Sequence, residues 1–526
     1  MVSTCTDVVL DALDRYGIDT VFGIPGVHTL ELYRSLARSP LRHVTPRHEQ
    51  GAAFMADGFA RASGRPAVCI LITGPGLMNA ATAIGQAYSD SVPMIVISTV
   101  NRLEDLGLGR NRLHEIPDQL QAMHSLTRSA LRLHHPNQAA PALDLAFSRL
   151  TLERPRPVYL EIPLDVAGAP AEPPFRTTGQ IYRAGPDPVA LRNAADLLAS
   201  ALRPAMILGG GAVAAGPQAL ALSERLGTAI VTTVAGKGIV PQTHPHSLGA
   251  TLNDPATRKV LDQADLILAV GTELASPDHF GDTLPIHARL IRIDIDPNVL
   301  VRDNPPDIGI CSDAQAALAG LLDATSHLKR PCWIDAAAIL EGYRSRIREQ
   351  KPSHAAFLDV LERSLDPDAI VVTDMTQIAY TGNNYFASSF PRSWLHPVGF
   401  GTLGYAMPAA IGAKLADPRR QVVAVVGDYG FGFTAQELAT ASDLGISLPI
   451  LIWNNGGLGQ IASDMDKLTI PRLGVDIAPP DFASLARAYG AAYREPGALS
   501  DLPSLLEEAR DVGGPTLIEI PPRLTR

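Results

Sequence analysis

The fold is decided by the stretch QVVAVVGDYGFGFTAQELATASDLGISLPILIWNNGG, residues 421–457. It contains two short runs rich in β-branched residues, 422–426 and 449–453, which are separated by a segment of helical composition. Each run is bounded by glycine, proline or a polar residue, as is typical of strands buried on both faces of a parallel sheet. The stretch therefore predicts a strand–helix–strand unit with parallel strands.

The same alternation extends outward over the whole chain. Further short apolar runs predict strands at 67–72, 94–100, 205–208, 266–270, 290–295 and 370–373. Two segments interrupt the pattern: the proline-rich segment 163–180, and 323–353, which contains a charged helix near its end. At roughly 150 residues per domain, these interruptions divide the 526 residues into three α/β units.

Composition excludes several classes of protein. Lysine and arginine number 44 against 54 aspartates and glutamates, a net charge of −10, which argues against a nucleic-acid or membrane-surface binder. No apolar run approaches the length of a membrane span, and the N-terminus lacks the pattern of a signal peptide. The four cysteines have no CxxC spacing, which indicates reduced thiols and no zinc site. We expect a cytoplasmic protein.

The first and third units repeat one order of features. In both, an alanine-rich helix precedes a strand, a glycine-containing turn, a second helix and a proline-led strand. The turn-to-proline spacing is 20 residues from Thr73 to Pro93 and 21 from Asp428 to Pro449. The pattern alone leaves open whether this is a duplication or the general likeness of strand–helix–strand units.

Polar side chains follow two predicted neighbouring strands of the third unit. Asp428 follows one strand, and Asn454 and Asn455 follow the next. The carboxyl ends of parallel strands share one edge of a sheet, and carboxylate and amide oxygens suit Mg²⁺. Gly430 and the next helix N-terminus favour a phosphate. Taken alone, Asp428 is better interpreted as a helix cap and Asn454-Asn455 as part of a turn. Together they favour a metal and phosphate site.

The Gly427-Asp428 and Asn454-Asn455 pair resembles the signature of thiamine-diphosphate enzymes, and the chain resembles the acetolactate synthase, benzoylformate decarboxylase and pyruvate oxidase superfamily over its length. The resemblance implies an α/β fold of three doubly wound parallel-sheet domains. Residues 1–172 would bind the aminopyrimidine, 186–328 would form a Rossmann-like domain, and 350–526 would bind diphosphate and Mg²⁺. The implied metal ligands are Asp428, Asn455 and the carbonyl of Gly457. Tyr429 departs from the family's usual glycine or alanine and puts the geometry of the diphosphate loop in question.

Glu49 has two interpretations. Taken alone, it is an acid in the first turn of an alanine-rich helix, where it offsets the helix dipole. The resemblance instead places it against N1′ of the aminopyrimidine. A proton shared there favours the imino form of the 4′ nitrogen, which then takes the proton from the thiazolium C2.

The segment Gly399–Gly404 formally matches the dinucleotide pattern GxGxxG. His396 and Pro397 interrupt the run before it, so the strand that the dinucleotide interpretation requires is not predicted. The resemblance gives the segment another role. The carbonyl of Gly401 would accept from the 4′ amino group, and Leu403 would support the bent cofactor.

The resemblance also assigns residues in the first unit. Val27 stands where decarboxylases carry an aspartate or serine, and His28 matches a histidine of the benzaldehyde lyase branch, which would move protons at the adduct. The implied catalytic residues are Glu49, His28 and Gln119. The implied cofactor-binding residues are Gly26, Glu49, Gly74, Gly401, Leu403, Gly427, Asp428, Tyr429, Gly430, Asn455, Gly457 and Leu458. The implied substrate pocket comprises Val27, His28, Thr73, His279, Gln460, Ile461 and Asp464.

The expected activity is decarboxylation of a 2-oxo acid by a homodimer or homotetramer. The details look most like the 5-guanidino-2-oxopentanoate decarboxylase branch, for which Asp464 or Asp466 would hold the guanidinium group. Acetolactate-synthase-like carboligation is the alternative, and a non-catalytic cofactor binder or an FAD-assisted oxidase remain open. FAD is disfavoured because Gly209–Gly211 lacks the dinucleotide spacing.

Overall fold

The computed structural model describes residues 3–172, 178–179 and 181–525. The described strands form three sheets in which every pairing of neighbouring strands is parallel. This confirms the α/β fold with three doubly wound sheets. Residues 173–177 and 180 of the predicted 163–180 linker lie outside the described residues.

The first sheet is built from the N-terminal third of the chain. Its strands are β1 (Thr20–Gly23), β2 (Arg42–Val44), β3 (Ala67–Leu71), β4 (Met94–Val100), β5 (Ser129–Arg132) and β6 (Val158–Pro163). Its helices are α1 (Cys5–Arg15), α2 (Leu30–Leu36), α3 (Glu49–Ser63), α4 (Pro75–Asn79), α5 (Ala81–Ser89), α6 (Gln119–His124), α7 (Ala139–Leu152) and α8 (Leu164–Ala167).

The middle sheet has five strands. They are β7 (Pro204–Leu208), β8 (Ala229–Thr232), β9 (Leu266–Val270), β10 (Arg289–Asp294) and β11 (Ile308–Cys311). The helices are α9 (Pro188–Ser200), α10 (Gly216–Leu226), α11 (Pro255–Gln263), α12 (Ser276–His279), α13 (Pro297–Leu300), α14 (Ala314–Ala324) and α15 (Ala336–Gln350). The charged helix predicted near 342–351 is found as the end of α15. Helix α15 begins about two turns earlier than predicted.

The third sheet contains the stretch quoted first. Its strands are β12 (Ile370–Thr373), β13 (Trp394–Leu395), β14 (Val422–Gly427), β15 (Leu448–Trp453), β16 (Ala492–Arg494) and β17 (Pro515–Ile520). Its helices are α16 (Pro352–Ser364), α17 (Gln377–Tyr385), α18 (Ala406–Ala416), α19 (Asp428–Phe431), α20 (Glu437–Asp443), α21 (Gly459–Lys467), α22 (Phe482–Ala488), α23 (Leu502–Arg510) and α24 (Pro522–Thr525). The two-residue strand β13 precedes Gly399–Gly404, where the sequence predicted no strand.

The first and third sheets have the same topology. The first has the order β2-β1-β3-β4-β6-β5 and the third has β13-β12-β14-β15-β17-β16, so corresponding strands occupy corresponding places. The repeat seen in the sequence is therefore a structural duplication. In each sheet the order reverses between the first and third strands, and such a switch point is where doubly wound sheets bind ligands.

The two duplicated domains pack against each other through helices α3 and α18. A Cβ atom on Gly58 would lie 1.9 Å from the carbonyl oxygen of Ala409, and one on Gly412 would lie 1.9 Å from that of Met55. Glycine at both positions lets the helix backbones approach closely. One apolar core is continuous across both domains, so the N-terminal turn of α3 has a fixed position relative to the third sheet.

None of the helices formed by the described residues is both long enough and apolar enough to cross a membrane.

Candidate functional site

The structure brings together the two polar groups that the third unit was predicted to place at one sheet edge. Strands β14 and β15 are neighbours, with Gly427 paired to Trp453, so Asp428 and the residues after Trp453 share the carboxyl edge. Oδ2 of Asp428 accepts hydrogen bonds from the backbone N–H groups of Gly456 and Gly457, both at 2.9 Å. These bonds leave Oδ1 of Asp428 facing Asn455.

Three oxygens converge beside Asp428. The amide oxygen of Asn455 lies 2.9 Å from the carbonyl oxygen of Gly457 and 3.2 Å from Oδ1 of Asp428. Oxygens this close repel one another unless the amide rotates to donate to the other two, or a cation lies among them. A carboxylate, an amide oxygen and a carbonyl oxygen are the hard ligands that Mg²⁺ prefers. This donor set fits the implied metal.

A cavity of about 460 Å³ opens next to this metal-binding edge. Its lining includes Asp428, Tyr429, Phe433 and the segment 477–480. The ring of Tyr429 packs edge-on against Phe433 at a centroid distance of 5.7 Å, and both residues form part of the cavity wall. The cavity has room for a diphosphate, and Tyr429 narrows one side of it.

The loop with Gly401 and Leu403 is held from both duplicated domains. Within the third domain, the buried carboxylate of Asp374 accepts from Gly404 N at 2.9 Å, and burial raises the pKa of Asp374 to about 6. From the first domain, Oε1 of Gln86 accepts from Thr402 N at 3.3 Å and from Thr402 Oγ1 at 3.1 Å.

Asp90 holds the start of the same loop. Its carboxylate accepts from Val398 N at 3.0 Å and from Gly399 N at 2.7 Å. It also accepts from Arg61 at 2.8 Å in a largely buried ion pair. Sequence reasoning missed Asp374, Gln86 and Asp90. The signal for the last two was their spacing of four, which places Gln86 of α5 and Asp90, the residue that caps this helix, on one face.

Glu49 begins α3 and keeps one carboxylate oxygen uncommitted. Oε2 accepts from Nδ2 of Asn79 at 3.0 Å. Oε1 has no hydrogen bond from the part of the chain that the structure describes, and a Cβ on Gly76 would lie 3.0 Å from it. Asn79 therefore orients the carboxyl group, and glycine at position 76 leaves space in front of its second oxygen. This arrangement fits a group that must approach Glu49 closely.

His28 and Gly74 follow β1 and β3, the two strands at the switch point of the first sheet. His28 is 6% exposed, and its Nε2 lies 3.2 Å from Oδ1 of Asn101. Because Nδ2 of Asn101 donates to the carbonyl of Leu113, its Oδ1 must accept, so we assign the proton of His28 to Nε2. Burial lowers the pKa of His28, which favours the neutral ring with a lone pair on Nδ1.

Gln119 lies at the centre of a buried hydrogen-bond network. Oε1 accepts from Thr73 Oγ1 at 2.7 Å and from Gly74 N at 2.8 Å. Nε2 donates to the Tyr159 hydroxyl at 2.8 Å and to Glu161 at 3.1 Å. With all these partners satisfied, Gln119 is placed to fix the turn at Thr73 and Gly74, and its predicted catalytic role stays a prediction.

A second cavity, of about 140 Å³, lies beside Gln119. Three acidic residues, Asp105, Glu115 and Asp118, contribute to its lining. Oδ1 of Asp105 accepts from the guanidinium groups of Arg110 and Arg112, both at 2.9 Å, and the bond from Arg112 is the main cause of a lowered pKa of Asp105. A carboxylate in this cavity thus already binds guanidinium groups of the chain itself.

Of the seven predicted pocket residues only Thr73 belongs to a cavity lining, and the other six are Val27, His28, His279, Gln460, Ile461 and Asp464. His279 is in the middle domain, buried, with Nε2 3.2 Å from the carbonyl of Leu274. On α21, Gln460 donates to Asp464, which also accepts from Lys467, and Ile461 is about half exposed. The linings of the two cavities belong to different domains, the smaller to the first and the larger to the third.

The remaining predicted residues lie in the turns around these groups. Val27 is 60% exposed next to buried His28. The turn at Gly26 is closed by the Thr29 hydroxyl, which donates to its carbonyl at 3.0 Å. Leu403 reaches toward Gly430, where a Cβ would lie 3.7 Å from Cδ2 of Leu403. Leu458 N donates to the carbonyl of Val475 at 3.0 Å and so anchors the metal loop.

Comparison with known families identifies this architecture. The N-terminal TPP-binding domain of thiamine pyrophosphate enzymes matches residues 3–122, the central domain matches 191–321, and the C-terminal TPP-binding domain matches 374–520. These matches cover more than half of the chain. The chain belongs to the thiamine pyrophosphate enzyme family, as the sequence resemblance indicated.

Individual relatives are similar over nearly the whole length. A Pseudomonas aeruginosa protein described as a probable 2-ketoarginine decarboxylase is 49% identical over 98% of this chain and 94% of its own. The Escherichia coli acetolactate synthase isozyme 1 large subunit is 30% identical over 98% of this chain and 93% of its own. An X-ray structure of a Mycobacterium smegmatis protein described as a thiamin diphosphate-dependent enzyme superposes with a TM-score of 0.84 at 24% identity, covering 99% of both chains. That likeness shows the fold.

Proposed function

We propose that the protein catalyses the non-oxidative decarboxylation of a 2-oxo acid, with thiamine diphosphate and Mg²⁺ as cofactors and a guanidino 2-oxo acid as substrate. The observation that carries the proposal is the 49% identity to the Pseudomonas aeruginosa protein over 98% of the chain. Within this chain, the uncommitted oxygen of Glu49 and the converging oxygens at Asp428 are consistent with that chemistry.

One set of residues would hold the cofactor, and a second set would transfer protons. Asp428, Asn455 and the carbonyl of Gly457 would hold Mg²⁺, and the cavity beside Tyr429 would hold the diphosphate. When bound, thiamine diphosphate supplies a nucleophilic carbon and an electron sink for the departing carboxylate. The chain's part is to exchange a proton at Oε1 of Glu49 and to present the lone pair of His28 Nδ1 as a base.

The acidic cavity beside Gln119 is the proposed subsite for the guanidinium tail. Asp105 is neutralised by two arginines of the chain, and Arg132, the arginine in the same lining, is paired with Glu161. Among the described residues, Glu115 and Asp118 each accept one backbone N–H bond and none from a cationic side chain, so they are the acids that remain for a ligand. By contrast, Asp464 is paired with Lys467 and Asp466 with Arg472 on the surface. We therefore favour the cavity over the two aspartates that the sequence suggested.

A pair of variants tests this substrate assignment. Glu115→Gln should lower kcat/KM for 5-guanidino-2-oxopentanoate by about 10- to 100-fold, the range for a lost charged hydrogen bond, while leaving an apolar 2-oxo acid of similar length unaffected. Asp464→Asn is the matched control and should leave both substrates unchanged. If kcat/KM for the guanidino acid falls in the Asp464 variant and not in the Glu115 variant, the guanidinium subsite lies at α21 instead.

Acetolactate-synthase-like carboligation is the second candidate, supported by relatives such as the Escherichia coli large subunit. Product analysis separates the two activities. Carboligation predicts acetolactate from pyruvate alone, whereas the favoured function predicts CO₂ and the aldehyde of the guanidino acid.

We further propose a homodimer or homotetramer in the cytoplasm. Glu49 lies on the first domain and the predicted metal ligands lie on the third. Each described cavity is lined by one of these two domains alone. Pairing the first domain of one chain with the third domain of another would complete two sites. The domain limits 1–172, 186–328 and 350–526 belong to this proposal, with a middle domain that carries no FAD. Light scattering would measure the oligomeric state, and a colourless purified protein would support a middle domain without FAD.

A further inference from the structure

Glu437 is a buried acid for which the proposed function has no role. It begins α20, nine residues after Asp428, and its side chain is fully inaccessible to solvent. Burial raises the pKa of Glu437. A carboxylate at such a place is costly unless hydrogen bonds satisfy it.

Its hydrogen bonds go to the segment immediately before Glu49. Oε1 accepts from His48 N at 3.0 Å, and Arg47 N donates to Oε1 and Oε2 at 3.2 and 3.1 Å. The Thr440 hydroxyl completes the set by donating to Oε2 at 2.7 Å. Two backbone N–H groups of the first domain are therefore held by one side chain of the third.

The start of α3 is shaped to admit this carboxylate. A Cβ on Gly51 would lie 2.3 Å from Oε1 of Glu437, which no real contact allows. His48 is the N-cap of α3, and its ring accepts from Gln50 N at 3.2 Å. The backbone between the carboxylate and Glu49 is thus fixed by hydrogen bonds on both sides.

We propose that Glu437 is a positioning residue for Glu49, setting its place through the backbone N–H groups of Arg47 and His48. The inference rests on the proposed function. It also links the predicted metal site to Glu49. The segment 428–437 begins with the carboxylate of Asp428, a predicted metal ligand, and ends with the carboxylate of Glu437, which binds the backbone just before Glu49. A misplacement of about 1 Å in a group of this kind can cost about a hundredfold in rate.

Three variants test the link. Glu437→Ala should lower kcat by about a hundredfold while changing KM by no more than about threefold, because the substrate contacts remain. Glu437→Gln should keep kcat within about fivefold of the wild type, since an amide oxygen in the place of Oε1 still accepts from both N–H groups. It loses only the second contact of Arg47 N, to Oε2, where the NH₂ group donates to Thr440 instead. Asp443→Ala is the control: it removes only the exposed pair of Asp443 with the Arg47 side chain and should leave kcat unchanged.

Hydrogen exchange supplies a readout without cofactor or turnover. In the cofactor-free protein the amides of Arg47 and His48 should exchange about tenfold faster in Glu437→Ala, and at the wild-type rate in Glu437→Gln and Asp443→Ala. Unchanged exchange, or equal kinetic losses in the alanine and glutamine variants, overturns the positioning role. A wild-type protein that decarboxylates no 2-oxo acid overturns the proposed function alone.

Gly51 provides a second route if the alanine variant does not fold. Gly51→Ala should favour the helix by its intrinsic propensity, yet its Cβ would displace the Glu437 carboxylate and lower kcat. In the double variant with Glu437→Ala no carboxylate is left to displace, so kcat should fall no further than in Glu437→Ala alone. Additive losses would contradict the link.

Discussion

Replacing Asp90 by alanine is predicted to destabilise the protein strongly, because one side chain supports both a buried charge and the loop of Gly401 and Leu403. Its carboxylate accepts four hydrogen bonds, from Arg61, Gln86, Val398 N and Gly399 N, at 2.7–3.0 Å. Truncation would leave the two backbone N–H groups without this acceptor.

The magnitude follows from how deeply the pair is buried. The side chains of Arg61 and Asp90 are only 13% and 8% exposed. Removing one partner of a buried ion pair costs about 3–5 kcal/mol. Asp57 also pairs with Arg61, at 2.6 Å, so the guanidinium keeps one acid and the lower end of that range, about 3 kcal/mol, is expected.

Urea denaturation of Asp90→Ala and a matched control measures this cost. The control is Asp19→Ala, because the Arg65–Asp19 pair has the same 2.8 Å separation while its side chains are 46% and 56% exposed. It should cost at most about 1 kcal/mol. The amides of Val398 and Gly399 should also exchange faster in Asp90→Ala alone. Equal destabilisation in the two variants would refute the argument that Asp90 holds this loop.

Three further predictions concern the site itself. Glu49→Gln should keep the oxygen that accepts from Asn79, and so its stability, but lower turnover at least about a hundredfold in steady-state assays; unchanged turnover would remove Glu49 from its role. Asp428→Ala should abolish Mg²⁺-dependent thiamine diphosphate binding in calorimetry, as chelation of the wild type should, and retained affinity would count against the metal site. Because burial raises the pKa of Asp374 from 3.8 to about 6, the folded state binds its proton more tightly, and this group's contribution to stability falls by about 3 kcal/mol as pH rises through that range. Asp374→Asn should lack this fall when urea unfolding is compared at about pH 4 and 7, and identical pH profiles would contradict the assignment.

Local patterns in the sequence predicted the elements that carry the site. Strands 94–100, 266–270 and 370–373 match the structure residue for residue, because burial on both faces of a sheet leaves a continuous apolar run. The pair Asp428 and Asn455 was recoverable for a related reason: polar residues at the ends of neighbouring parallel strands must share an edge.

Contacts between the domains were not predictable in the same way. Asp90 lies 309 residues from Gly399, and Glu437 lies 389 residues from His48. A periodic pattern reports which face of an element is buried, and it does not report which distant backbone group that face meets. The acidic cavity was missed similarly, since Asp105, Glu115 and Asp118 form no recognisable spacing and converge only through the fold of the segment 101–119.

The most direct test of the proposed function is CO₂ release from 5-guanidino-2-oxopentanoate by the purified protein, measured with and without thiamine diphosphate and Mg²⁺ and compared with pyruvate. Release that requires both additions, with a higher kcat/KM for the guanidino acid than for pyruvate, is the predicted result. Release from neither acid in the presence of both cofactors, or acetolactate formed from pyruvate with no reaction of the guanidino acid, would contradict it.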